Sequence, residues 1–267
     1  RQNCTACLEQ AMHSLTFFFS LRGRPLEGLA LFEEALAGLE PLSTPEAESA
    51  RGWLLARAAN LAAASNELEQ AQALAERALA LNQKLGVAAA VAATHTQLGR
   101  VAWLRGEYPL AEEHYRQALE FQTTAGHLNG QARALDYLGT NAWALGHYAE
   151  AQDYFERSLA LFRQTGNLHS IALVFDHLGV VARDTGKVDT AQACFRQSYE
   201  IFKTLGAQMN LAFAANHLAG VLGNLAEAEL YFAQCIAIGK EYGDQRIVGY
   251  TLNDWGSLHI QTGDTAR

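Results

Sequence analysis

The chain has 267 residues, 49% of them hydrophobic, and a net charge of −8. Only 4 residues are proline, alanine and leucine are abundant and β-branched residues are sparse, which is the composition of helix formers. Lysine is rare and no Lys/Arg stripe marks any predicted helix, so direct nucleic-acid binding is not expected, because phosphates demand a basic footprint. No apolar run reaches the ~18–20 residues of a membrane span. The most apolar stretch, Leu15 to Leu21, is short and has no cleavage-site pattern, so neither a membrane partner nor a signal peptide is expected.

In chain order, Cys4 and Cys7 come first, as an isolated C-x-x-C. A structural zinc site needs four ligands, and no second pair lies at a suitable spacing, so no metal is expected. Cys194 and Cys235 fall inside predicted helices and read as small hydrophobes. Without a disulfide framework the expected compartment is the cytoplasm.

A first helical pair spans 4–40, with Phe19 in its first helix, Gly23 at the turn and Phe32, Ala35 and Leu36 in its second. Pro41 and Pro45 mark a loop after it. A second pair spans 46–86, with Asn66 at the turn and Ala71, Ala75, Ala78 and Leu79 following. Three closely similar units then cover 88–126, 128–166 and 168–206. Leu98-Gly99, Leu138-Gly139 and Leu178-Gly179 stand forty residues apart, as do Gly106, Gly146 and Gly186, and Ala111, Ala151 and Ala191. The aromatic set Tyr115, Phe155 and Phe195 keeps the same step, and Gly86, Gly126, Gly166 and Gly206 close the units. Glycine ends a helix readily because it takes the left-handed conformation. Small residues let two helices approach, and the aromatic fills the space one turn on. A sixth unit, 208–243, is three residues short, and the deficit is expected at the turn around Gly223-Asn224. A seventh, partial unit spans 245–267, with Leu252, Trp255, Gly256 and Gly263. The chain opens at Arg1 without an initiator methionine and stops in mid-pattern, so it reads as part of a longer protein.

The pattern L-G-x-x-A/Y…G-x-Y…A-x-x-x-F/Y…A/S-L resembles the tetratricopeptide repeat, in a forty-residue variety without the terminal proline. The usual unit has about 34 residues, so both helices should be longer by about a turn. The resemblance implies an all-α, right-handed α-solenoid of antiparallel helix pairs, a single domain over 1–267 with about thirteen helices. It also resembles the C-terminal sensor arrays of bacterial signal-transduction ATPases of the STAND type and of large transcriptional regulators. Ser20 to Gly28 is similar to the segment that opens such arrays.

Each unit can be numbered so that its Leu-Gly pair falls at positions 7 and 8. At about 100° per residue, positions 4, 7, 8 and 11 then share the packing face. Positions 2, 5, 9 and 12 share the other face, with 6 at its edge. The resemblance places that second face in a concave groove. It carries Thr96, Asp136, Asp176, Asn216 and Asn253 in one row, and Gln97, Tyr137, His177, His217 and Asp254 in the next. Arg100 and Thr140, the tryptophans Trp103 and Trp143, and Arg133 and Arg183 complete it. Amides and carboxylates in register suit the repeating N–H and C=O groups of an extended peptide. The arginines suit carboxylates or phosphates. His177 and His217 occupy equivalent positions with Asp136 and Asp176 nearby, a pairing that titrates near neutrality; nothing fixes the further ligands a metal would need.

No phosphate-binding glycine loop, H-E-x-x-H or G-x-S-x-G occurs, so neither an enzyme nor a cofactor is expected. The expected partner is a protein or peptide in the groove, or a small-molecule inducer. The likeness to sensor arrays adds an upstream NTPase domain, which a G-x-x-x-x-G-K-[ST] motif before Arg1 would reveal. The other reading is a constitutive scaffold that holds partner proteins without a switch.

Overall fold

In a computed structural model, residues 11–262 are described, apart from 13, 17 and 20–23, with side chains described as far as residue 260. Cys4, Cys7, Gly23, Gly263 and the stretch 20–23 of the opening segment lie outside the described residues. The chain divides into two compact units, Arg1–Leu145 and Gly146–Arg267. No strand occurs among the described residues, and no described helix is long and apolar enough to cross a membrane.

The first unit contains α1 (Pro25–Leu39), α2 (Pro45–Ala64), α3 (Leu68–Leu85), α4 (Ala88–Leu104), α5 (Tyr108–Thr124) and α6 (Leu128–Ala144). Each helix packs on the next, and α2 also meets α4. This is the contact pattern of a stacked repeat, in which modules touch only their neighbours. The second unit contains α7 (Tyr148–Thr165), α8 (Leu168–Asp184), α9 (Val188–Leu205), α10 (Gln208–Ala219), α11 (Leu225–Tyr242) and α12 (Gln245–Thr262). There α8 meets α10 and α10 meets α12. Within each unit the helices form α-solenoid pairs.

Local chemistry explains the boundaries. Thr44 caps α2, its hydroxyl accepting the Ala47 N–H at 3.2 Å with Pro45 in the first turn. Asn167 caps α8 in the same way through the Ser170 N–H at 3.1 Å. At the other end, Gly86 has φ 66°. There the Val87 N–H donates to the Asn82 carbonyl at 3.2 Å and the Gly86 N–H to the Gln83 carbonyl at 3.1 Å. That pair of bonds satisfies carbonyls a helix end leaves bare. Asn66 takes the same left-handed turn, at φ 65°, which asparagine tolerates better than most residues.

The expected packing face is buried. His95, Leu98, Gly99 and Ala102 in α4, and Leu135, Leu138, Gly139 and Ala142 in α6, are all buried. A Cβ on Gly99 would sit 2.5 Å from the Tyr115 ring, and one on Gly179 2.5 Å from the Phe195 ring. The glycines therefore make room for the aromatic of the partner helix. Ala111, Ala151 and Ala191 have no exposed surface.

The sixth repeat differs from expectation. Its deficit lies in the helix, not the turn: α10 has 12 residues where α4, α6 and α8 have 17. The helix ends at Ala219, before Gly220, a residue with low helix propensity. Val221 and Leu222 then leave the helix yet remain 8% exposed, packed with Leu218 and Phe232.

Candidate functional site

The candidate face belongs to α4 and α6 in the first unit and to α8, α10 and α12 in the second. In the first unit, Thr96 is 8% exposed and its hydroxyl donates to the Ala92 carbonyl at 3.0 Å. The Thr140 hydroxyl donates to the Asp136 carbonyl at 3.0 Å. Both threonines thus bond their own helix. Arg100 donates to Asn60 Oδ1 at 3.3 Å, joining first helices one repeat apart. Asp136 and Trp143 are half-buried and Arg133 is exposed. Trp103 is also half-buried, edge-on to Tyr108 at 6.4 Å, with its indole nitrogen enclosed and unpartnered.

Tyr137 lies flat against Tyr115, ring centroids 5.1 Å apart and planes inclined by 11°. Burial, with the Tyr137 ring next to it, pushes the Tyr115 phenol far above its ordinary range. In the second unit His177 packs on Phe155 at 5.1 Å and His217 on Phe195 at 5.3 Å. Trp255 stacks on Phe232 at 5.8 Å. These residues form a seam in which the second-helix aromatic of one repeat receives a ring from the next. The helical wheel placed Tyr137, His177 and His217 at the edge of the groove but did not show that seam. Its signal in the sequence was a ring recurring twenty-two residues after Tyr115, Phe155 and Phe195, and twenty-three after Phe232.

The polar row of the second unit is cross-linked between helices. His217 Nδ1 lies 2.9 and 3.0 Å from the two carboxylate oxygens of Asp176. Asn216 Nδ2 donates to Asp254 Oδ2 at 2.7 Å. One row of each repeat thus bonds the adjacent row of the following repeat. Asp176 engages the neighbouring helix, Asn216 is only 7% exposed, and Asn253 stands exposed. Both imidazole rings meet a phenylalanine at a tilt, and His217 is also held by Asp176. Among the described residues, no group of three or more His, Cys, Asp or Glu side chains is arranged to hold a metal.

The cross-linked helices border an open cavity of about 180 Å3 lined by Arg183, Asn216, His217, Gly220, Asp254, Ser257 and Leu258. Four of these, Arg183, Asn216, His217 and Asp254, belong to the face expected from the sequence. Arg183 donates through Nε to Asp184 at 2.9 Å, and its side chain is 41% exposed. The Ser257 hydroxyl donates to the Asn253 carbonyl at 2.9 Å. A small polar chamber with a cation at its mouth and amide, imidazole and carboxylate groups behind it can hold a polar group of a ligand. It offers both donors and acceptors within a framework set by the helices.

Helix pairs recurring at a fixed step, with small-residue contacts and a face of recurring polar positions, define a helical-repeat protein. The tetratricopeptide repeat family model matches residues 53–124 and 90–164, so that span belongs to the tetratricopeptide repeat family, and the described helices on either side of it continue the same helix pairing. No curated protein matches the sequence significantly. Among solved structures, a Signal Transduction ATPase with Numerous Domains from Pyrococcus horikoshii, with a tetratricopeptide repeat sensor, aligns at TM-score 0.70 and 15% identity. That alignment covers 96% of this chain and 39% of the ATPase. A Rap protein complexed with Competence and Sporulation Factor aligns at TM-score 0.69 and 15% identity over 93% of this chain and 74% of the Rap chain. Aspartyl phosphate phosphatase F from Bacillus subtilis aligns at TM-score 0.63 and 15% identity over 92% of this chain and 71% of its own. At such identities the likeness shows the fold alone.

Proposed function

We propose that this chain is a non-catalytic module that binds a peptide or a segment of a partner protein on the first-helix face, anchored in the second unit at the Arg183–Asn216–Asp254 cavity. The observation that carries this reading is the convergence of recurring groove positions from three successive first helices on one polar chamber. Exposed Phe213 and Tyr250 lie on the same helices and add apolar contact area of the kind peptide recognition uses. A Rap conjugation gene regulator of similar fold, solved in complex with the Phr* peptide, supports a peptide as the ligand class. Asp136, Tyr137, Trp143 and the rest of the first-unit face are proposed as a further contact surface for such a ligand.

The test is to select peptides from a random library on the purified chain and measure their affinity by calorimetry. Arg183→Ala removes the cation at the mouth and should weaken the selected peptides about tenfold, the worth of one charge-assisted hydrogen bond. Peptides that bind this variant and the parent alike would place the ligand elsewhere.

The finer reading is a sensory role, in which ligand binding here regulates an NTPase domain of a longer regulatory protein. The sensor named in the Pyrococcus structure supports it. In the intact protein, the selected peptide should then change the rate of nucleotide hydrolysis. A peptide that binds without altering that rate favours the constitutive scaffold.

A further inference from the structure

A second cavity, of about 480 Å3, lies in the first unit where α1, α2 and α3 meet. It opens where the repeat pattern is interrupted. Elsewhere a second helix passes to the next first helix through a short link built around a glycine, such as Gly86-Val87 or Gly206-Ala207. Between α1 and α2 the link is Glu40–Thr44, longer and bearing Pro41. The side chains around the cavity are equally irregular. Leu36, Leu55 and Leu81 make an apolar floor, while Arg51, Arg77 and Lys84 bring three cations against Glu40 and Glu48. This is a local cationic excess in a chain of net charge −8.

Arg51 is the telling residue. One repeat later its place is taken by Val91, and in the second unit by Ile171, Leu211 and Val248, all buried; Gln131 is half-buried. Arg51 therefore stands where the repeat usually puts an aliphatic core residue. Its side chain is only 23% exposed and its Nε is enclosed without a hydrogen-bond partner. The nearest carboxylate oxygen, Glu48 Oε1, is 3.8 Å from Nη2 and is held more closely by Lys84 Nζ at 2.9 Å. A guanidinium donor taken from water without an acceptor is costly, and native structures rarely leave one so.

We propose that this cavity binds a small organic anion with an apolar body, of the class of medium-chain carboxylates. The carboxylate is received by Arg51 with Arg77 and Lys84 beside it, and the hydrocarbon lies on Leu36, Leu55 and Leu81. The volume falls within the range of about 300–1,000 Å3 typical of small-molecule sites. A guanidinium presents the paired donors a carboxylate accepts. The site lies apart from the first-helix cavity of the second unit and does not depend on the peptide reading.

The experiment titrates octanoate into the whole chain by calorimetry, with octylamine and 1-octanol as ligands of the same tail and different head. Octanoate should bind, with the amine and the alcohol weaker by about tenfold or more. Arg51→Gln should lose about tenfold in octanoate affinity. Arg51→Leu, which installs the aliphatic residue type of most other repeats, should abolish octanoate binding while keeping or raising the melting temperature. Arg183→Ala should leave octanoate binding unchanged. No octanoate binding by the parent chain, equal binding of octylamine, or unaltered binding by the Arg51 variants would overturn the proposal. So would a lowered melting temperature in Arg51→Leu, which would make the arginine a structural residue.

Discussion

The chamber at Arg183, Asn216 and His217 and the cavity at Arg51, Leu55 and Leu81 arise in opposite ways. The first is a product of regularity: like positions on successive first helices converge, and neighbouring rows bond each other. The second is a product of exception: a long link and an arginine occupy places that most other repeats fill with a glycine turn and an aliphatic side chain. In a repeat protein the regular positions build the shared framework. The departures confer individuality, so a residue that breaks the period while remaining buried is a strong pointer to a specific role.

The contrast can be tested most forcefully on the regular side. Ala151 has no exposed surface, and its place in the period is a close-approach position between helices. Ala151→Trp should overpack that contact and cost about 3 kcal/mol, measured by urea unfolding; an unchanged midpoint would contradict the assigned register.

Acid probes an irregular position of another kind. His95 is 6% exposed at a position where the next repeat has buried Leu135. Its Nδ1 is 3.2 Å from Nδ1 of His114, and its ring stacks on Phe121 at 5.9 Å. Burial first, and the neighbouring His114 second, push His95 down to about 4 from its ordinary 6.5. Burial lowers His114 as well, against the opposing pull of Glu113 and Glu76. A histidine depressed on folding supplies stability above its unfolded pKa, and that stability is lost as pH falls toward its folded value. The first unit should therefore lose about 2 kcal/mol from His95 at about pH 5 relative to neutral pH. His95→Phe should flatten this part of the profile, and equal pH slopes for variant and parent would show that the imidazole is not the source.

The smallest effect is expected at the chamber mouth. The Arg183 side chain is 41% exposed, so Arg183→Ala should change stability by less than about 0.5 kcal/mol while weakening peptide. A large drop in melting temperature would move Arg183 from the ligand surface to the framework.

Much of the fold was legible because the period of forty exposes it. The glycines at 86, 106, 126, 146, 166, 186 and 206 all take positive φ, and the small residues at the helix contacts lie where the spacing put them. The site was legible in part. A helical wheel tells which way a side chain points from its own axis, and so separates Leu138 from Thr140. It does not tell how near the next helix comes. Tyr137, His177 and His217 therefore appeared at the groove's edge, although each gives a ring face to the preceding repeat. The sequence set Asp176 near the two histidines but did not give its bond to His217, and the Asn216–Asp254 bond was hidden for the same reason. The missing residues of the sixth repeat were placed at the turn because Gly223-Asn224 looked like one, whereas the helix itself yields at Gly220. Arg51 carried a signal in its departure from the aliphatic residue that most repeats have there, but a reading centred on what repeats passes over what does not.

The seam of packed rings also has a consequence in time. Tyr115 meets Tyr137 and Phe195 meets His217 across twenty-two residues of chain, and Asp176 reaches His217 across 41. Loops of that size close at modest entropic cost, and proteins dominated by such near-sequence contacts fold quickly. In each unit a repeat can acquire its stacking partner soon after the next first helix forms, so ordering can spread stepwise along the chain instead of awaiting a meeting of distant ends.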